Sequence, residues 1–136
     1  MITVQSNINA PIEKVWECWT GPEHITKWNN ASDDWHTPYA ENDLRTGGKF
    51  KSTMAAKDGS ISFDFEGEYT LVEQNKTIKY VMADGRKVEV SFATTPSGVE
   101  VVESFDPETV NQEEMQRGGW QAILDNFKKY VEGIRS

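Results

Sequence analysis

The sequence predicts an α+β fold: a curved antiparallel sheet of about six to seven strands wrapped around a long C-terminal helix, with two short helices after the first strand. Three observations carry this. Residues 111–134 place Trp120, Ile123, Leu124, Phe127, Val131 and Ile134 on one stripe of a 3.6-residue repeat. Most of residues 49–105 instead alternates apolar and polar side chains with a period of two. The alternating runs are joined by short turn signals, Asp58-Gly59, Asn75-Lys76, Asp84-Gly85 and Pro96-Ser97-Gly98, and strands linked so closely pair antiparallel. A sheet with one apolar face needs one cover, and the terminal helix supplies it.

Taken in order, Ile2, Val4 and Ile8 share one parity and Thr3, Gln5 and Asn7 the other, which reads as a half-buried strand. Ala10-Pro11 ends it, and Pro11 suits the first position of a helix over 11–19 whose apolar face is Ile12, Val15, Trp16 and Trp19. Thr20 followed by Glu23 has the spacing of a capping box, with Pro22 in the first turn of a second helix through Trp28. Residues 29–48 lack periodicity and read as a long loop, a length that is usually functional or mobile. Phe50, Ser52 and Met54 mark the next strand. Ile61, Phe63, Phe65, Tyr69 and Leu71 mark another, whose other face carries Asp64, Glu66 and Glu68 and whose Gly67 signals a bulge or bend. Ile78, Tyr80 and Met82, then Val88, Val90 and Phe92, then Val99, Val101 and Phe105 complete the strands. In the terminal helix, Asn111 and Glu114 have capping-box spacing, and Asp125, Asn126, Lys129 and Glu132, flanked by Lys128, form the polar face.

The 136 residues suit one domain spanning 1–136. A formal net charge of −8 with no basic run makes nucleic acid and anionic membranes poor partners. The single cysteine, Cys18, allows no internal disulfide and fits a reducing compartment. No signal-peptide pattern and no long apolar run is present, so a cytoplasmic protein, monomeric or weakly dimeric, is expected.

Several motifs stand in order along the chain: Ala10-Pro11-Ile12 with Val15-Trp16, Trp19-Thr20 with Pro22-Glu23 and Trp28, Leu44-Arg45 with Gly47-Gly48, Asp58-Gly59, Phe65-Glu66-Gly67-Glu68-Tyr69, and Gly119-Trp120 with Leu124 and Phe127. In this order the chain resembles the START-like or polyketide-cyclase (SRPBCC) superfamily, the helix-grip fold. Within it the chain is similar to the family named after the C-terminal domain of the heat-shock-protein ATPase activator. The resemblance implies a cavity between sheet and helix. It also implies a choice of roles: binding of apolar small molecules, cyclisation or dehydration of polyketides, or co-chaperone activity.

Candidate residues follow from parity and place. Phe50, Phe63, Phe65, Tyr80 and Phe92, with Met54 and Met82, fall on the inward parity of the strands, where they pack a core or wall a pocket. Trp28, Trp35 and Tyr39 lie in or beside the irregular region that would form a cavity mouth. Gly118-Gly119 inside a helix costs roughly 2 kcal/mol relative to alanine. Close approach of a strand would compensate, as would a bend, or room for a ligand over Met115 and Trp120; Gly119 and Ile123 join these as candidate ligand contacts. Catalytic and metal motifs are absent. His24 and His36 have no metal-ligand spacing, and Cys18 reads as buried. Arg45 and Arg117 read as members of ion pairs, and Tyr80 is the one interior acid–base candidate named.

The leading expectation is therefore non-enzymatic binding of a small hydrophobic molecule between sheet and helix, without a cofactor. The alternatives are a co-chaperone-like regulator of an ATPase and a polyketide cyclase or dehydratase.

Overall fold

A computed structural model of the chain describes residues 1–30 and 32–133. Ile134, the last residue of the expected helical stripe, lies outside the described residues. The elements run β1 (Ile2–Ile8), α1 (Ile12–Thr20), α2 (Pro22–Trp28), β2 (Trp35–Asn42), β3 (Lys49–Ala56), β4 (Ser62–Glu73), β5 (Thr77–Met82), β6 (Lys87–Thr95), β7 (Gly98–Phe105) and α3 (Glu113–Gly133). All seven strands form one antiparallel sheet in the order β1-β7-β6-β5-β4-β3-β2. The sheet curls as a half-barrel around α3, the helix-grip arrangement.

The core lies between the concave face and the helices. Ile2, Val4 and Ile8 of β1 meet Val88, Val90, Val99, Val101 and Phe105 of the central strands, and Leu124, Phe127 and Val131 of α3 close over them. Trp16 and Trp19 of α1 pack edge-on to Phe92 at 5.3 and 5.8 Å, and Trp28 of α2 meets Phe127 at 4.8 Å. Helix α3 also covers the open edge of β1. Gln121 Nε2 donates to the Gln5 carbonyl at 3.1 Å, Lys128 Nζ donates to the Asn7 carbonyl, and the Asn9 amide donates to Glu132 Oε2 at 2.8 Å. Edge-strand groups that would otherwise invite another strand are thus taken up within the chain. Asn126, expected on the solvent face, instead donates to the Trp28 carbonyl at 2.8 Å and to Asn30 Oδ1 at 3.0 Å, tying α3 to the end of α2.

The structure corrects several local expectations. Residues 29–48 are not one loop, because they contain β2, paired with β3 from Trp35↔Ala56 to Asn42↔Phe50. Its alternation is broken by a register shift between His36 and Tyr39, which spans Pro38, and an edge position tolerates that proline. The irregularity in β4 falls between Tyr69 and Leu71, not at Gly67. It switches parity, so Val72, opposite Ile78, packs on the core while Leu71 lies opposite Lys79. Gly67 is required for a different reason. A Cβ there would lie 2.6 Å from the Phe50 ring and 2.9 Å from the Val81 carbonyl oxygen. Neither capping box forms. Thr20 Oγ1 donates back to the Trp16 carbonyl at 2.8 Å, and Gly21 is the N-cap of α2. Ahead of α3, Asn111 bonds to Glu108, while Gln116 exchanges hydrogen bonds with the Glu108 backbone and donates to the Asn111 carbonyl. Pro11 sits at the N-cap of α1, one residue before the helix.

Candidate functional site

Between α3 and the half of the sheet formed by β3, β4 and β5 lies a cavity of about 550 Å³. Strand parity builds its floor. Phe50, Ser52 and Met54 of β3, Phe63, Phe65 and Tyr69 of β4, and Ile78 and Tyr80 of β5 point to the concave face. Gln116, Gly119, Trp120 and Ile123 of α3 form the roof, and Trp19, Ile25 and Trp28 close the end beside α1 and α2. The rings touch one another: Phe50 meets Tyr80 edge-on at 4.8 Å, Phe65 meets Trp120 at 6.4 Å, and Trp120 stacks on Phe105 at 3.9 Å. Trp35 and Phe63, 5.9 Å apart, stand at the mouth with Met115. Phe63 is 49% exposed and Met115 66%, so the rim is apolar and open to solvent.

Of the residues expected to meet a ligand, Trp28, Trp35, Phe50, Met54, Phe63 and Phe65 line this cavity, as do Tyr80, Met115, Gly119, Trp120 and Ile123. Met82 and Phe92 do not. Met82 is buried opposite Gly67, and Phe92 packs under Trp16 and Trp19. Trp28 lines the cavity as a buried core residue, its Nε1 donating to the Cys18 carbonyl at 2.9 Å. Tyr39 faces outward and donates to Glu41 at 2.7 Å. A Cβ at Gly118 or Gly119 would meet nothing within 4 Å. Close approach of a strand therefore does not explain the glycine pair, and the space beside Gly119 is open.

The sequence reading missed Glu103. It belongs to the Val99, Val101, Phe105 parity, which alone would have placed it inward. It lies between Val4 of β1 and Val90 of β6, lines the cavity and is 6% exposed. Its carboxyl makes no hydrogen bond or ion pair among the described residues, and burial pushes its pKa up to about 8. Tyr80, 8% exposed, is also without a hydrogen bond there. Burial, then the charge on Glu103, hold its hydroxyl well above the usual phenol range. Tyr80 therefore suits hydrogen-bond donation and not base chemistry near neutral pH, whereas Glu103 is poised to give or take a proton there. The remaining polar lining is largely engaged. Tyr69 donates to Asn42 Oδ1, Arg86 Nε to Asp84 at 2.7 Å, and Gln116 is held by the segment before α3.

Other candidate groups resolve into structure. Arg45 pairs with Asp43 at 3.0 Å and Arg117 with Glu114 at 2.7 Å. His24 Nδ1 lies 2.7 Å from the Tyr130 hydroxyl, away from the cavity. Cys18 is buried, and desolvation raises its thiol pKa. Among the described residues no cluster of three or more potential metal ligands occurs, and no helix is long and apolar enough to cross a membrane. A second hollow, about 480 Å³ between α3 and Asn30, Ser32 and Asp33, is lined by Asp125, Lys128, Lys129 and Glu132, of which Lys128 pairs with Glu132 at 2.7 Å and Asp125 accepts from Gln121 at 2.9 Å.

Residues 9–132 match the family described as Activator of Hsp90 ATPase homolog 1-like protein. The chain belongs to this family. The family lies within the START-like superfamily, in keeping with the helix-grip sheet. The AHSA1-like protein from Aeromonas hydrophila, solved by NMR, is 50% identical with a TM-score of 0.91, over 96% of this chain and 91% of that one. A solution structure from Cytophaga hutchinsonii is 55% identical with a TM-score of 0.84, again over 96% and 91%. A crystal structure from Chromobacterium violaceum shares the fold at 23% identity, with a TM-score of 0.83 over 98% of each chain. A search of curated proteins finds no match.

Proposed function

We propose that this protein binds a small hydrophobic molecule in the cavity between its sheet and α3, as a cytoplasmic single-domain carrier or sensor. The observation that carries the reading is a cavity of about 550 Å³ walled mainly by aromatic and aliphatic side chains. That is within the usual range of ligand sites, whose walls are mostly apolar with a few polar groups. Burial of apolar ligand surface at about 25 cal/mol per Å² supplies affinity, and the open apolar rim at Trp35, Phe63 and Met115 gives access.

Titration with the neutral apolar fluorophore N-phenylnaphthylamine tests this. The native protein should enhance and blue-shift its emission, and Phe65→Ala and Phe63→Ala should weaken binding while the circular dichroism spectrum is retained. No binding by the native protein, or unchanged affinity in both variants, overturns the cavity as the site. Native mass spectrometry of protein purified from cells then identifies the chemical class of any retained molecule.

The family description supports a second reading, a regulator of a chaperone ATPase, and the exposed Ile61, Phe63 and Met115 offer apolar contacts for a protein. Stoichiometric recovery of a chaperone in a pull-down, lost in Phe63→Asp, favours that reading over the first.

A further inference from the structure

We propose that the cavity selects an apolar molecule bearing a protonated amine, whose ammonium group is held by Glu103 and the surrounding aromatic rings. This rests on the cavity-binding reading above and names the chemistry of its ligand. Glu103 is the starting point. A carboxyl held in a row of valines, more than nine-tenths buried and without a hydrogen bond or ion pair among the described residues, is costly to ionise without a partner. It lines the aromatic-walled cavity, so a partner can reach it from outside the chain.

The surroundings favour a cation. Tyr80 and Trp120 line the same space, as do Phe50 and Phe65, and the faces of such rings attract ammonium groups, more strongly when water is excluded. The other charged groups on the wall are already engaged, Arg86 with Asp84 and Glu108 with Asn111. The net charge of −8 draws cations towards the protein and disfavours anions. An apolar carboxylate or sulfonate would set its charge against Glu103. A neutral molecule of the same shape would leave the carboxyl without a charge partner.

Binding then moves a proton. At pH 7 the empty protein holds Glu103 protonated, given its pKa of about 8. The amine arrives as ammonium. The complex keeps one acidic proton fewer than the separate partners, because Glu103 releases its own to solvent as the ion pair forms. The other titratable or charged groups on the cavity wall are Tyr69 on β4, Tyr80 on β5, Arg86 in the following hairpin and Glu108 ahead of α3. Val4 and Val90, which flank Glu103 on β1 and β6, carry none, nor do Gln116, Gly119, Trp120 and Ile123 of α3.

Calorimetric titration with naphthylethylamine and with naphthylethanol, in two buffers of different ionisation enthalpy at pH 7, tests the assignment. The amine should bind the native protein about tenfold or more tighter than the alcohol, with release of roughly one proton. In Glu103→Gln, shown by its thermal transition to be folded, the amine should lose its advantage over the alcohol and its proton release. Equal binding of both probes, or an amine preference that survives in Glu103→Gln, overturns the assignment and leaves the apolar cavity standing. Failure of both probes to bind the native protein instead overturns the cavity reading, and this inference with it.

Discussion

Replacing Glu103 with glutamine should flatten the dependence of stability on pH between 4.5 and 8. The carboxyl is buried and its pKa stands at about 8 in the folded protein against 4.5 ordinarily. Between those values the unfolded chain has released the proton that the folded chain still holds. The unfolded state binds fewer protons, so stability falls as pH rises, and the loss is complete above pH 8. At about 1.36 kcal/mol per pH unit, the full interval is worth about 5 kcal/mol. That is an upper bound, because water in the open cavity solvates the ionised carboxylate. Even half of it is a large share of the 5–15 kcal/mol typical of a folded domain. The groups held at lowered pKa values, Asp58, Asp84 and Glu132, act at more acidic pH, and the raised tyrosines and Cys18 act at more alkaline pH. The difference between native protein and variant therefore isolates Glu103. Urea unfolding at pH 5, 7 and 9, values chosen to bracket that roughly 4.5–8 window, is the assay. The two proteins should be nearly equal at the lowest value, and the variant should be more stable by about 2–5 kcal/mol at the highest. Parallel curves for the two proteins would refute the reasoning.

Other substitutions test the packing. Gly118→Ala should raise stability by about 0.5–1 kcal/mol, since the position is exposed, helical and open to a Cβ; thermal melts would show it. Gly67→Ala should lower stability by about 1–3 kcal/mol by pressing on the Phe50 ring and the Val81 carbonyl. The same change should shift the fluorescence of probes in the cavity, because Phe50 is part of its wall. Asn126→Ala should cost about 1–2 kcal/mol, as it leaves the Trp28 carbonyl without this donor, with hydrogen exchange speeding first in α2.

Much of the architecture was legible in local patterns. The stripe from Trp120 to Val131 is the inward face of α3, buried at Leu124, Phe127 and Val131, and the hairpin signals at Asp58-Gly59, Asn75-Lys76 and Asp84-Gly85 fall at turns with positive φ at Gly59, Asn75 and Gly85. Less was legible where a long-range partner sets the local conformation. The segment of β2 has little alternation and contains Pro38, and only its ladder to β3 makes it a strand. Leu71 and Val72 exchanged faces because the bulge is decided by pairing with β5. Phe92 and Phe65 share a chemistry and an inward parity. One meets Trp16 and the other faces the open space, a difference that depends on where α1 and α3 lie on the sheet.

The sequence by itself determined the helix, the turns and most of the strand parity, because these follow from periodicities of 3.6 and 2 and from residues with restricted backbone preferences, while its ordered motifs carried the resemblance to the family. Tertiary structure alone decided that the space under α3 is unfilled and that Glu103 stands within it without a hydrogen-bond or ion-pair partner among the described residues. Cavity volume and the satisfaction of a buried charge are sums over groups far apart in the chain, brought together only when the sheet closes around the helix.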